Sequence, residues 1–500
     1  MKRWMLVFPL MLSCSQGTTV NLKLRIAGDA RKTPLRNPGT PNTPASDVDV
    51  LRLEAYNPTL GVTRQGEVTN DFAVSNEIRV GALDISEGAD WRTQLLGTDR
   101  YGALFSLGRS EAFDIPKQGT VDVKMVLGIA DDFATTAQVP GGLGPFTTAT
   151  LLPDGSVLLL GLAGASLFDP HSGTSCTDCL SGDLPTPRQL HTATALANGS
   201  VLIVGGATAA GQPVEGVSVF TPRTRSFAAL ALPLWPARYG SAAAVMPGGR
   251  VLIAGGRGAI PADGARVVII DVAAGTLEEQ PALPEAVMLP AAAALQTGEV
   301  LITGGLDGTG AAVATASVYA AEGGAVRRAV PMRERRAAHS ATLLADGYVF
   351  LFGGRGALGA TLSSAEVFTP GGKFLGVDSA NLEPRAGHAA VRLDSDAVLI
   401  VGGQEEPAGP PDPARLVAAL RFSPEREAGG KYAGTFVPVG QVVARNGAAI
   451  VGLPDLSVLV VGGARPTLAA DPSVAPVAGD WVESMEIFVP CAIKGKPCPR

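Results

Sequence analysis

The sequence is short of the residues on which most catalytic chemistry depends. It holds four histidines and five cysteines in 500 positions, with no histidine pair at metal-ligand spacing. It has no recognisable Ser-His-Asp arrangement and no phosphate-binding glycine loop. The formal net charge is −6, which argues against nucleic acid as a partner, because phosphate binding needs a concentrated basic surface. Beyond the N-terminus no run is long and apolar enough to cross a membrane. Disorder is excluded too: 46% of residues are hydrophobic, despite 62 glycines and 38 prolines. The apolar residues fall in short Val-, Leu- and Ile-rich runs bounded by Gly, Pro, Asn and Asp, the pattern of many short strands.

Lys2 and Arg3 precede the apolar run from Trp4 to Leu12, which is too short to span a bilayer and reads as a signal peptide. Met11-Leu12-Ser13-Cys14 then resembles the lipobox of bacterial lipoproteins, although Leu is usual where Met11 stands. The resemblance implies that residues 1–14 end at a lipidated Cys14. It also implies export to the bacterial cell envelope, with an outer-membrane anchor and a periplasmic or surface-exposed chain. Stable anchoring requires more than one acyl chain.

Self-similarity is the dominant feature. Gly-Gly doublets follow apolar runs at Gly205, Gly255, Gly304, Gly353, Gly402 and Gly462, at near-constant intervals of which only the last is longer. A degenerate copy ends at Gly161, a slightly shorter interval before Gly205. Each unit divides into four strands. Strand A is a run of small residues such as Thr192 to Leu196. A tight turn follows, such as Asn198-Gly199 or Asp346-Gly347, of the kind two-residue hairpins require. Strand B runs into the doublet, and its unbroken apolar character predicts burial on both faces. Strand C alternates, as from Val217 to Pro222 and from Ala365 to Pro370. Strand D carries Phe227 or Phe374.

The doublet after an apolar strand, the Val-x-Val-Phe-x-Pro strand and the leading Arg-x-x-His resemble the kelch repeat over about residues 131–490. That resemblance implies an all-β chain containing a seven-bladed kelch β-propeller, one four-stranded blade per repeat. Phe133 precedes Gly161 by the same interval as Phe227 precedes Gly255 and Phe374 precedes Gly402. Residues 132–138 therefore read as a strand D without its own A, B and C. They are expected to complete the last blade beside Glu483 to Val489 and so close the ring.

Residues 15–130 lack the repeat. Runs at Val20 to Ile26, Val48 to Tyr56, Glu77 to Leu83, Arg92 to Leu96, Ala103 to Leu107 and Val121 to Leu127 predict a small β-sandwich. Its pattern resembles Ig-like modules. Residues 27–46 are Pro-rich and read as a loop or stalk. Residues 491–500 form a short Cys-containing tail.

Two positions of the repeat carry candidate chemistry. His191, His339 and His388 each stand at one fixed interval before the first glycine of their doublet, and a structural role follows from that phasing alone. His171 stands apart and reads as surface. Arg188, Arg238, Arg336, Arg385 and Arg445 fill the arginine place of the Arg-x-x-His phrase, again at one fixed interval before the glycine. They are candidates for an anion-binding ring at one mouth of the channel, or for donors to the carbonyls of loops joining neighbouring blades. Cys176–Cys179 and Cys491–Cys498 are expected to be disulfides, with a cross-pair between the first repeat and the tail as the alternative. No cofactor and no metal is expected.

Some kelch proteins are enzymes, among them the copper-dependent galactose oxidases and the sialic acid mutarotases. The two-tyrosine, two-histidine copper set of the former is not recognisable here. The reading is a monomeric, non-catalytic scaffold binding a protein or a glycan at the envelope. The alternative is a carbohydrate-active enzyme of mutarotase or oxidase type. Recognition is expected on the face of the B–C and D–A connections, whose loops are the longer and more varied.

Overall fold

The computed structural model describes residues 6–7, 12–13, 18–26, 50–57, 62–70, 78–80, 88–98, 104–116, 119–139, 142–232, 237–322, 326–379, 381–404, 415–426, 432–465 and 481–491. Cys14, Cys498, the stretch 27–46 and most of the two long loops after Gly403 and Gly463 lie outside them. The described chain is all-β, without an α-helix, and no helix is long and apolar enough to cross a membrane.

From Thr148 onward, with Phe133–Gln138 added, the strands form seven sheets among the described residues, six of four strands and one of five, antiparallel except for one added strand. In the third sheet the order A to D is Ala242–Val245, Val251–Ala254, Val267–Asp271 and Thr276–Gln280. Every strand B is buried along its length, as the unbroken apolar runs require. Burying one such Val, Leu or Ile contributes roughly 1.5–3 kcal/mol. These side chains do not form one central core. They form clusters between neighbouring sheets: Leu202 with Ile253 and Ile270, Leu301 with Leu351, and Leu399 with Val460. Val157 and Leu159 of the first sheet pack in the same way against Leu459, Val461 and Ile487 of the seventh. The A strands of successive sheets also lie side by side, including that of the first beside that of the seventh.

The seventh sheet is assembled from distant parts of the chain. Ala449–Gly452, Val458–Val461 and Ser484–Phe488 are followed in the ladder by Phe133–Gln138. Phe133 pairs with Phe488, ring centroids 4.9 Å apart. Phe220 with Phe227, and Phe368 with Phe374, repeat this contact between strands C and D at 4.8 and 5.1 Å. The shared phase of Phe133, Phe227 and Phe374 is therefore a packing phase. Without residues 133–138, Phe488 and Ile487 lose their cover. A variant chain beginning at Gly141 should thus melt several degrees below one beginning at Ala130, by differential scanning calorimetry. Equal melting temperatures would deny the added strand any role in stability.

The repeat is not uniform. The second sheet gains a fifth strand, Ser181–Gly182, parallel to Ser226–Leu230. Strands C and D of the sixth, Leu416–Arg426 and Tyr432–Val443, are far longer than their counterparts. This hairpin stacks Phe422 on Phe350, centroids 4.1 Å apart.

The region before the repeat forms one ten-stranded sheet, in which Thr18–Ile26 runs parallel to Gly119–Ile129. All six expected strands are present. Val62–Asn70 and Phe113–Ile115 are additional, as are Leu6–Val7 and Leu12–Ser13, which lie in the segment read as a signal peptide and both pair antiparallel with Thr18–Ile26. The strand pairing connects all of them in one network. This module meets the repeat on the side of the A–B and C–D turns. Arg109 donates to the carbonyls of Pro490 and Cys491 at 2.6 and 2.9 Å. His171 and Glu111 approach to 3.9 Å, and Asp131 pairs with Arg421 at 2.6 Å.

Candidate binding site at the head of strand A

Arginine and the glycine doublet form one device. The first glycine of a doublet has positive φ, 64° at Gly205, and a side chain there would strike the carbonyl of Arg238 in the next sheet. The second glycine donates its N–H to that same carbonyl, at 2.8 Å from Gly206. The arginine side chain turns back to its own sheet. Arg188, Arg336, Arg385 and Arg445 donate from Nη1 to the carbonyls of Gly205, Gly353, Gly402 and Gly462 at 2.7–3.2 Å. Arg238 donates to the carbonyls of Asp263 and Arg266.

All five guanidinium groups are buried, the residues exposed by 4% or less. Arg336 pairs with Glu366 at 2.9 Å, and Arg445 with Glu486 at 3.0 Å. Burial holds Arg188, Arg238 and Arg385 down at about 10, still protonated at neutral pH. The arginines brought together by their spacing thus do not present an open anion-binding ring. Within the described structure they are engaged by carbonyls and carboxylates, the second of the two roles their position suggests.

The three phased histidines bridge sheets. His191 Nε2 lies 2.7 Å from Thr148 Oγ1, His339 Nε2 lies 2.9 Å from Thr303 Oγ1, and His388 Nε2 lies 2.8 Å from Ser340 Oγ. Burial, with the positive charge of Arg188 or Arg385 added, pushes His191 and His388 down to about 3. His339 is held well below its usual value, by burial first and then by Arg336 and His388. All three are neutral at physiological pH. Among the described residues no group of three or more His, Cys, Asp or Glu is arranged to hold a metal ion.

The position directly before the histidine, inside the Arg-x-x-His phrase, has a backbone role of its own. In all seven sheets it adopts left-handed φ. Glycine occupies it at Gly240, Gly387 and Gly447, with φ of 65–67°. Phe146, Leu190, Leu289 and Ala338 hold φ of 50–57°, a conformation costing a non-glycine residue about 1 kcal/mol or more. Six N–H···O=C bonds connect these residues. They run from Phe146 to Gly447, Gly387, Ala338, Leu289, Gly240 and Leu190, at 2.6–3.2 Å. Three glycines among seven aligned residues were the available clue.

These residues and their strand A neighbours enclose a cavity of about 280 Å³. It lies where the A strands begin, on the face of the D–A and B–C connections, away from the N-terminal module. Its walls are apolar at Phe146, Leu190, Leu289 and Pro290, and polar at Thr148 and Ser241. No ionised side chain lines it, and the three histidines complete the wall in their neutral form. No protein-family model and no curated protein matches this chain.

Tyr319 donates to the Pro281 carbonyl, and Tyr348 packs on Tyr432 with the rings tilted; neither pair lines the cavity. Cys176 and Cys179 are bonded to each other, and Cys491 is also in a disulfide. A cross-pair between the first sheet and the tail is thereby ruled out.

Proposed function

We propose that the chain is a kelch-type, seven-bladed β-propeller that acts as a monomeric, non-catalytic binding scaffold for a protein or glycan. On this reading it is an exported lipoprotein of the cell envelope, anchored through Cys14 and without a nucleic-acid partner. The repeat phasing supports the family. The cluster shared by the first and seventh sheets supports closure of the ring, as does the Phe146–Gly447 bond. The parallel pairing of Thr18–Ile26 with Gly119–Ile129, an early strand against the last, supports an Ig-like character for the module before it.

One observation carries the functional reading: the cavity opens on the face opposite the N-terminal module, and its wall is uncharged. A binding site fits such a wall better than an acid–base catalyst does, since a histidine held near 3 is a poor proton acceptor at neutral pH. The loops around the mouth add exposed apolar side chains at Ile260 and Leu358. A photo-crosslinking residue at Leu289 or Leu358, in native cells, should trap a discrete partner. The same residue at Asp154 or Asp346, on the turns of the opposite face, should not. Adducts from the turn positions alone would assign recognition to the wrong face.

A further inference from the structure

The Cys176–Cys179 bond closes a very short segment at the outer edge of the first sheet, where Thr174–Cys176 is the last strand. The chain entropy removed by a cross-link grows with the loop it closes. So short a segment gains less than half of what closing a long loop gives. The neighbouring chain is held by other means. Cys176 pairs with Leu167 in the ladder, Leu180 is buried, and Ser181–Gly182 joins the second sheet. The fold has little need of this bond.

Its two sulfurs also differ in surroundings. The backbone N–H of Cys179 points at Cys176 Sγ, 3.1 Å away. Cys179 Sγ instead lies 3.5 Å from the Cys176 carbonyl and packs on the cluster containing Leu152, Leu180 and Phe227. An N–H donor favours a sulfur as thiolate, whereas a carbonyl and apolar neighbours favour the neutral thiol. The intervening Thr177 and Asp178 are exposed, which leaves the bond open to an incoming thiol.

We propose that Cys176–Cys179 is a reversible dithiol–disulfide exchange site. A thiolate of an external dithiol attacks Cys179 Sγ and forms a mixed disulfide. The Cys176–Cys179 bond breaks, and its electron pair leaves on Cys176 Sγ as a thiolate that accepts a hydrogen bond from the Cys179 N–H and then takes a proton from water. The second thiolate of the dithiol then attacks its own sulfur in the mixed disulfide and expels Cys179 as thiolate, which takes a proton from water. Two electrons have passed: the external dithiol is oxidised to its disulfide, and the pair on the protein is reduced to two thiols.

Native full-length protein is treated with dithiothreitol, quenched with iodoacetamide at intervals and mapped by mass spectrometry. Cys491, which is also disulfide-bonded and only 7% exposed, is the internal reference. Cys176 and Cys179 should become alkylated about tenfold faster than Cys491, with the melting temperature nearly unchanged. In single variants at pH 7, Cys176 in Cys179→Ser should react with iodoacetamide about tenfold faster than Cys179 in Cys176→Ser. The proposal is overturned if the pair is reduced no faster than Cys491, if reduction unfolds the protein, or if the two single thiols react alike.

Discussion

Acidification from pH 7.5 to pH 5 should destabilise the protein by about 4 kcal/mol through His191 and His388, with His339 adding to the loss in the same direction. In the unfolded chain His191, His339 and His388 titrate near their ordinary value of about 6.5. In the folded chain burial and neighbouring arginines hold His191 and His388 at about 3 and His339 far down. Between those limits the unfolded chain binds protons that the folded chain refuses, so stability rises with pH and is lost as pH falls. His191 and His388 each withdraw about 1.4 kcal/mol per pH unit below 6.5, roughly 2 kcal/mol at pH 5. Above pH 7 the contribution is complete and flat. Asp455 works in the opposite sense: burial raises its pKa, so its contribution is present at low pH and fades as pH rises through the folded value. Urea unfolding at pH 7.5, 6.0 and 5.0 measures the effect. Replacing all three histidines by threonine, the residue at the matching position Thr147, should flatten the profile. A wild-type midpoint equal at pH 7.5 and 5.0 would contradict the neutral, buried state of these rings.

Arg445→Ala and Arg336→Ala should each cost about 3–5 kcal/mol, because each leaves a buried carboxylate without its cation. Glu486 and Glu366 are exposed by 4% and 1%, and the guanidinium groups also hold the carbonyls of Gly462 and Gly353. Arg188→Ala should cost less. Among the described residues its guanidinium meets the carbonyls of Thr186 and Gly205 rather than a carboxylate. Denaturant midpoints of the three variants give the order directly. Three unchanged midpoints would mean that the guanidinium groups face solvent and are free for an anion after all.

That arginine pattern marks where sequence reading stops. A fixed interval to the glycine doublet tells which arginines are equivalent, but not which way a long side chain turns. Whether Arg336 opens to a channel or folds back on Gly353 depends on the next sheet, which no single repeat encodes. Strand B was fully legible, because burial on both faces leaves an unbroken apolar run. Val62–Asn70, with the sequence Val-Thr-Arg-Gln-Gly-Glu-Val-Thr-Asn, was not, because its polar residues conceal the strand. The hairpin from Leu416 to Val443 was missed for another reason: it departs from the repeat whose phase located the other strands. The cavity is not legible in the sequence, because its wall is set by backbone conformation. Left-handed φ at Phe146, Leu190 and Leu289 is invisible in residues that rarely adopt it.

Amide hydrogen exchange in strand Phe133–Gln138 tests most directly the claim that the two ends of the repeat region share one sheet and so make a ring. The account predicts that these amides open together with those of Ser484–Phe488, with the same protection and the same loss as denaturant is added. Exchange of residues 133–138 at the rate of an unstructured chain, while 484–488 stay protected, would contradict it.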